Sequence, residues 1–291
     1  MKLVRFGEAG AERPGIWLEA SAAEPARIVD VRAMAFDLDD YDARFWRTHG
    51  VERLKGLLGE KVLKTVAAEG VRLGPPVARP RQVICLGKNY RDHAAEFDAQ
   101  VPEQPVYFSK SPGALSGTGD AIRLRPEQTR VDGEVELALV VGKRARNVAE
   151  SEAPGHVGGY TILNDVTDRD LQKARLQWFL GKGGDGFGPL GPWLVTPDEA
   201  GDPQARGLRQ RVNGQVLQES NTAQMIFPVA RILADLSRVV TLEPGDVIST
   251  GTPGGIGSAR TPPVLLRAGD VVECEIDGIG VLRNPVEAEP A

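Results

Sequence analysis

The feature that most limits the possible folds is an apolar run at residues 131–142, Val-Asp-Gly-Glu-Val-Glu-Leu-Ala-Leu-Val-Val-Gly. With the two-residue period of a strand, Glu134 and Glu136 share a face that turns apolar at Ala138, and the opposite face is apolar throughout. Because both faces become apolar before the run ends, the pattern predicts a strand in the interior of a sheet. The two glutamates then face a cavity, although a solvated strand end is the ordinary alternative for Glu-x-Glu.

The two glutamates have no basic residue in their own strand to neutralise them. Like charges at positions i and i+2 raise each other's pKa unless a cation lies between them. A divalent ion is the economical solution, and carboxylate oxygens suit Mg²⁺, Mn²⁺ or Ca²⁺ rather than zinc. Asp165 ends a second strand-like segment at residues 160–165 and is a third candidate ligand. We interpret Asp168 and Asp170 as N-terminal charges of a following helix.

The composition is that of an ordinary globular protein, with a hydrophobic fraction of 41% and a mean hydropathy of -0.23. A net charge of -5 and a pI near 5.4 argue against a protein that binds nucleic acid. Glu8 precedes any apolar run, and no segment approaches the roughly 18 apolar residues of a membrane span, so we expect a cytoplasmic protein without membrane contact. Cys85 and Cys274 each lie in an apolar strand-like run and are predicted to be buried, reduced thiols.

A segment rich in glycine and proline divides the chain into two predicted units. The segment at 74–80, Gly-Pro-Pro-Val-Ala-Arg-Pro, is the predicted boundary between a small N-terminal domain at 1–75 and a larger, strand-rich domain at 76–291. Every residue suited to chemistry lies in the second unit.

Local patterns predict several individual elements. Strands are expected near residues 2–6 and 15–19, and an apolar stripe predicts a helix over 51–68. Asn213-Gly214 predicts a hairpin turn, and apolar residues at helical spacing after a proline predict a helix over 228–239.

Three further segments carry side chains suited to a reaction site. His93 and Glu96 stand at i and i+3, where a carboxylate beside an imidazole makes a base that activates water; an ordinary surface helix is the alternative. Lys182 lies in a stretch with five glycines between 181 and 188, interpreted as a flexible or tightly turned site loop or, alternatively, an exposed hairpin. This stretch lacks the phosphate-loop pattern. The glycine-rich loop that carries Thr252 is suited to holding a carboxylate.

An ordered set of motifs over about residues 78–286 resembles the fumarylacetoacetate hydrolase family. The motifs are Asn-Tyr-Arg-Asp-His at 89–93, Asp-Gly-Glu-Val-Glu-Leu at 132–137, Asn-Asp-Val at 164–166, Gly-Lys at 181–182, Val-Asn-Gly at 212–214, Met-Ile-Phe at 225–227, and the segment 243–253. The chain ends further resemble a bacterial branch that acts on acylpyruvates and 2,4-diketo-3-deoxy sugar acids. The resemblance implies an α+β, predominantly β fold, a mixed β-sandwich roll with a small N-terminal domain, in a homodimer.

The resemblance also implies a role for each matching residue. The divalent-metal ligands would be Glu134, Glu136 and Asp165, the water-activating pair His93 and Glu96, the stabiliser of negative charge Lys182, and the substrate contacts Tyr90, Arg169, Gln172 and Thr252. The ion would be Mg²⁺ or Mn²⁺, with Ca²⁺ as an alternative. Gly183-Gly184 departs from the family, whose members commonly have Ser and a bulkier residue after the lysine.

The implied reaction is hydrolysis of a C–C bond in a 2,4-diketo acid, through a pyruvate enolate that the ion stabilises. A decarboxylase, isomerase or dehydratase of a 2-oxo acid on the same scaffold is an alternative. The third alternative is a protein that binds a metal or metabolite without catalysis.

Overall fold

The computed structural model describes residues 1–92 and 101–290, and strands dominate this part of the chain. The strands are β1 (Lys2–Phe6), β2 (Arg13–Leu18), β3 (Arg27–Asp30), β4 (Thr65–Ala67), β5 (Leu73–Gly74), β6 (Val83–Gly87), β7 (Val106–Lys110), β8 (Leu115–Ser116), β9 (Ile122–Leu124), β10 (Val131–Asp132), β11 (Val135–Val141), β12 (Val157–Asn164), β13 (Thr167–Asp168), β14 (Gly188–Val195), β15 (Gly207–Val212), β16 (Gln215–Asn221), β17 (Val247–Ser249), β18 (Val271–Ile276) and β19 (Gly280–Ala288). The α-helices are α1 (Ala43–Arg47), α2 (Gly50–Leu58), α3 (Arg169–Ala174), α4 (Phe179–Lys182), α5 (Pro197–Ala200) and α6 (Val229–Val239). The α+β, predominantly β prediction is confirmed.

A mixed sheet of 12 strands forms the centre of the protein, in the order β4-β3-β2-β1-β14-β12-β11-β17-β6-β7, with β5 on β1 and β8 on β14. A five-stranded sheet, β16-β15-β18-β19-β9, packs against it. Strand β11 lies between β12 and β17, and all of Val135–Val141 is buried. The prediction of an interior strand is therefore confirmed.

The two faces of β11 contribute to two different cores. Leu137 and Leu139 pack in the core shared with the five-stranded sheet and α6. Ala138 and Val140 pack on the other side with N-terminal residues such as Leu3. Burying apolar side chains on both faces fixes the register of the strand, because a slip by one residue would exchange the faces.

The N-terminal residues extend the central sheet. Strand β1 pairs with β2 on one side and with β14 on the other, with Leu3 opposite Leu194. The domain boundary at about residue 75 thus remains a prediction, while the sheet itself continues across it.

The predicted helix over 51–68 is wrong beyond Leu58. The amide of Gly59 donates to the carbonyls of Gly56 and Leu57, which closes the last turn of α2. The chain then enters β4, where Val66 pairs with Ile28 of β3. Pairing with the sheet therefore outweighs a helical stripe that continues past two glycines.

Other local predictions are confirmed. Asn213 and Gly214 adopt φ of 51° and 81° in the tight turn between β15 and β16, as a hairpin turn of this kind requires. Helix α6 begins after Pro228, and both cysteines are buried and free. None of the helices in the ranges that the structure describes is long and apolar enough to cross a membrane.

Candidate active site

Two neighbouring antiparallel strands bring three carboxylates together. Val135 of β11 is opposite Asn164 of β12, so Glu134, which precedes β11, lies beside Asp165, which follows β12. Glu134, Glu136 and Asp165 are buried, and each offers an oxygen within 4.8 Å of the others. The Asp165 amide donates to the Glu134 carbonyl at 2.9 Å, and the Glu134 amide donates to Asn164 Oδ1 at 3.0 Å. The three predicted metal ligands therefore form one fixed cluster.

A buried lysine bridges two of these carboxylates. Lys182 Nζ lies 2.7 Å from Glu134 Oε2 and 2.6 Å from Asp165 Oδ2, which brings the lysine predicted from the glycine-rich loop into the cluster. Lys110, at the end of β7, contacts the other oxygen of Asp165 at 2.6 Å and is fully buried. Sequence reasoning missed Lys110. The sequence signal that could have identified it was a lysine at the end of an apolar strand. A buried lysine requires an anionic partner, so Lys110 could have been expected beside a carboxylate.

Arg169 contacts the carboxylate oxygen of Glu134 that Lys182 does not contact. Its Nη2 lies 2.6 Å from Glu134 Oε1, its Nε lies 2.7 Å from Asp132 Oδ1, and its Nη1 donates to Gln172 Oε1 at 3.1 Å. Asp132 also accepts the Ser258 amide at 2.7 Å and is buried. Asp132 was missed as well, although it stands two residues before Glu134 in the same motif.

Helix α3 positions Arg169 at its first residue. As predicted for its charge, Asp168 caps this helix, accepting the amides of Asp170 and Leu171 at 3.1 Å. The predicted substrate contacts Arg169 and Gln172 therefore share one short helix beside the cluster.

The glycine-rich loop is packed tightly. A Cβ on Gly181 would lie 2.6 Å from the backbone nitrogen of Gln172, so glycine allows α4 to approach α3 and carry Lys182 inward. A Cβ on Gly183 would lie 2.8 Å from the Phe179 carbonyl oxygen, which the Gly183 amide itself contacts at 2.7 Å. Gly183, where the chain departs from the family pattern, thus closes α4 with no room for a side chain at this position.

Glu136 has fewer cationic neighbours than Glu134. Its Oε2 accepts the Ser249 hydroxyl, in a short hydrogen bond, and the Gly251 amide at 3.0 Å. Burial, and then the charges of Asp165 and Glu134, raise the pKa of Glu136 well above its usual range. Burial opposes ionisation of Glu134 too, but the charges of Lys182 and Arg169 hold the pKa of Glu134 below its usual value.

Of the remaining predicted site residues, the structure describes Thr252 and Tyr90. The Thr252 hydroxyl donates to the Val135 carbonyl at 3.0 Å and accepts from Gln218 Nε2 at 2.8 Å. Tyr90 is buried, its hydroxyl has no hydrogen-bond partner among the described residues, and burial and the charge of Glu136 raise its pKa. His93 and Glu96 lie outside the described residues.

The donor chemistry fits a divalent cation. Among the described residues, the carboxylates of the cluster and its ion pairs are Asp132, Glu134, Glu136 and Asp165, and the cations are Lys110, Arg169 and Lys182. With all four carboxylates ionised, one negative charge is left in a buried place, which is costly without a further cation. All-oxygen donors favour a hard ion such as Mg²⁺, Mn²⁺ or Ca²⁺.

Comparison with known protein families identifies the family of this chain. The model of the fumarylacetoacetate (FAA) hydrolase C-terminal domain matches residues 82–287. The chain belongs to the fumarylacetoacetate hydrolase family. The resemblance expected from the motifs is confirmed, and the chain is an enzyme of this family.

Relatives within the fumarylacetoacetate hydrolase family carry out different reactions. A mitochondrial oxaloacetate tautomerase of Xenopus laevis is 42% identical over 98% of this chain and 90% of its own length. A 2,4-didehydro-3-deoxy-L-rhamnonate hydrolase of a Sphingomonas strain is 40% identical over 98% of this chain and 96% of its own length. Family membership alone therefore does not select one reaction.

A solved structure within the family contains a metal. Maleylpyruvate hydrolase of a Sphingobium species, in complex with manganese(II) and pyruvate, has a TM-score of 0.81 and 30% identity, and the match covers 100% of both chains. Together with the buried acidic cluster, this neighbour supports a divalent metal in this protein and confirms the predicted family fold.

Proposed function

We propose that this protein is a divalent-metal-dependent hydrolase that cleaves the C–C bond of a 2,4-diketo acid, an acylpyruvate or a 2,4-diketo-3-deoxy sugar acid. The observation that carries the proposal is the buried cluster of Glu134, Glu136 and Asp165, with Lys182 bridging two of its members. This arrangement joins ligands for a hard cation to a positive group that can meet a developing negative charge.

The charge of the centre favours an anionic substrate with one carboxylate. Among the described residues, the ionised carboxylates exceed the cations by one, so a divalent ion would turn the excess into a single positive charge. The carboxylate of an acylpyruvate would neutralise that charge inside the protein, where an uncompensated charge is costly. The Arg169 guanidinium, which makes three separate contacts in the centre, is pre-organised to orient such a head group.

In the proposed reaction, water adds to the C4 carbonyl and the bond between C3 and C4 breaks, leaving a carboxylic acid and the enolate of pyruvate. His93, paired with Glu96, would remove the proton of the attacking water. Lys182 would donate a hydrogen bond to the oxyanion at C4, and protonation at C3 completes pyruvate. The chemistry that a divalent cation supplies beside Glu134, Glu136 and Asp165 is Lewis-acid stabilisation of negative charge on the 2-oxo acid head.

The comparisons support this reaction and also favour a second candidate. The Sphingomonas relative is a hydrolase, and the Sphingobium neighbour is a hydrolase in complex with manganese and pyruvate. The Xenopus relative, at a similar identity, is an oxaloacetate tautomerase. Tautomerisation of a 2-oxo acid moves a proton at C3 and needs no attacking water, so it is the second candidate function.

One assay separates the two candidates. Acetylpyruvate and oxaloacetate are each followed by ultraviolet absorbance of the enol with Mn²⁺, with Mg²⁺ and after a chelator, and the products are quantified. Pyruvate and acetate that form from acetylpyruvate only with metal would support the hydrolase. Faster interconversion of oxaloacetate tautomers, without cleavage of acetylpyruvate, would replace it with the second candidate. No effect on either compound would overturn both.

Two expectations from the sequence remain proposals that rest on the resemblance and on composition. The homodimer is tested by light scattering on the purified protein. The cytoplasmic location is tested by cell fractionation.

A further inference from the structure

A glutamine from the smaller sheet reaches the acid-bearing end of β11. Gln218 belongs to β16 and is fully buried. Its Oε1 accepts the Val135 amide at 3.0 Å, and its Nε2 donates to Thr252 Oγ1 at 2.8 Å and to the Pro253 carbonyl at 2.9 Å. Both hydrogens of the side-chain amide and one acceptor position are therefore used.

These hydrogen bonds take the place of strand pairing at the acidic end of β11. Among the described strands, β17 pairs with β11 only at Ala138–Val140, beyond the acidic end. On this side, the Val135 amide is taken by Gln218, and the Val135 carbonyl accepts the Thr252 hydroxyl at 3.0 Å. Gln218, Thr252 and Val135 thus form a closed triangle of hydrogen bonds where the sheet ladder ends. Buried backbone groups need such partners, so the triangle stabilises the local conformation.

Val135 stands between two of the predicted metal ligands. Fixing its peptide groups fixes the direction in which Glu134 and Glu136 leave the chain. The same glutamine sets the rotamer of Thr252, because it donates to the hydroxyl whose hydrogen is directed at Val135. No contact between Gln218 and the carboxylate oxygens of the cluster is found among the described residues.

We infer that Gln218 is a positioning residue, which holds the acidic end of β11 and Thr252 in the geometry that binds the metal and the substrate. The inference rests on the proposed metal-dependent function. It assigns a role in the site to a residue of the five-stranded sheet, which otherwise serves the core.

The chain offers a matched control. Gln210 is the direct cross-strand partner of Gln218 on β15 and is equally buried. Its Nε2 contacts Cys274 Sγ at 3.9 Å, and its Oε1 has no partner among the described residues. Replacing either glutamine by methionine removes a buried amide of the same size, but only Gln218→Met removes hydrogen bonds to β11 and Thr252.

The test measures Mn²⁺ binding by calorimetry in the full chain, separately from turnover of acetylpyruvate. We expect Gln218→Met to weaken Mn²⁺ binding and to lower kcat by about 10-fold each, the scale seen when groups that orient metal ligands are removed. Gln210→Met should keep both within about two-fold and should change Tm less than Gln218→Met does, because it removes one weak contact and an acceptor without a partner among the described residues. Equal Mn²⁺ affinity and kcat in the two variants would show that Gln218 is only a packing residue.

A measurement on the unaltered protein keeps the inference testable if Gln218→Met does not fold. The Val135 amide should exchange with deuterium as slowly as the amides in the paired interior of β11, and rapid exchange would overturn the inference. Absence of Mn²⁺ binding by the unaltered protein would instead refute the proposed function, while amide exchange would still decide whether Gln218 holds β11.

Discussion

Lys182 and Asp165 are joined by a 2.6 Å contact between Nζ and Oδ2, and both side chains are almost completely buried. The same ammonium group contacts Glu134 at 2.7 Å. Lys182 therefore shares one positive charge between two of the three predicted metal ligands. The cluster can form before any ion binds, because Glu134 and Asp165 already have cationic partners.

We predict that removing metal abolishes activity but does not unfold the protein. Lys110, Lys182 and Arg169 compensate most of the buried negative charge in the absence of an ion. Dialysis against a chelator should leave the circular dichroism spectrum unchanged, and Mn²⁺ at about 100 times its Kd should add about 2.7 kcal/mol to the free energy of unfolding. Cooperative unfolding by the chelator alone would contradict the prediction.

Lys182→Met should destabilise the metal-free protein more than the metal-loaded protein. The substitution leaves Glu134 and Asp165 with one cationic partner each, and losing a partner in a buried pair costs about 3 kcal/mol. A bound divalent ion supplies positive charge at the same carboxylates, so the difference from the unaltered protein should shrink with Mn²⁺. Thermal melts with Mn²⁺ and with chelator measure both values. An equal loss of Tm under both conditions would argue against shared carboxylates.

Glu134→Gln and Glu136→Gln should both abolish metal binding but differ in stability. Removing a direct ligand should weaken Mn²⁺ binding by at least about 100-fold. Glu134→Gln also takes a charged partner from Lys182 and from Arg169, which should cost about 3 kcal/mol. Glu136 makes no ion pair among the described residues, so Glu136→Gln leaves every buried cation with its partner and should change the metal-free stability by less than about 1 kcal/mol. Calorimetry and chemical denaturation in chelator test the pair, and equal destabilisation would contradict this difference in ion pairing.

Site residues could be predicted from the sequence where their positions depend on a local pattern, but not where they depend on contacts between separate segments of the chain. The positions of Glu134 and Glu136 follow from the period of one strand, and Asp165 from the end of another, so local patterns sufficed. Lys110 and Gln218 come from strands that are far from β11 and β12 in the chain. Their contacts depend on the order of strands in the sheets, about which the pattern of a single strand carries no information.

The fold shows the same division. The burial of both faces of β11 could be predicted, because it depends on the composition of the strand itself. The error over 51–68 arose because a helical stripe was extended past Gly59, while pairing with β3 determined the conformation of β4. Local periodicity identified these elements, and tertiary pairing decided where they end.

His93→Ala should retain the metal and lose hydrolysis. If His93 activates the attacking water, its removal should lower the rate of acetylpyruvate cleavage by at least about 100-fold. Mn²⁺ affinity should stay within about two-fold, because the imidazole is not among the predicted ligands. Calorimetry and product analysis measure the two effects. Full hydrolytic activity in this variant would refute the assigned role, whereas retained oxaloacetate tautomerisation would show that the two reactions use different groups.

A chain that begins at residue 76 should fail to fold as a stable unit, although the glycine and proline pattern marks a boundary there. The deletion removes β1 from the edge of β14 and uncovers Leu194. It also takes Leu3 and Ile16 from the core that contains Val140 of β11.

Each such loss of apolar contact costs about 2–5 kcal/mol, and 1 kcal/mol corresponds to about 2–4 °C in Tm for a domain of this size. Cooperative melting should therefore disappear or move down by more than about 10 °C, as followed by circular dichroism. Melting within about 3 °C of the full chain, together with intact Mn²⁺ binding, would show that the catalytic unit is independent.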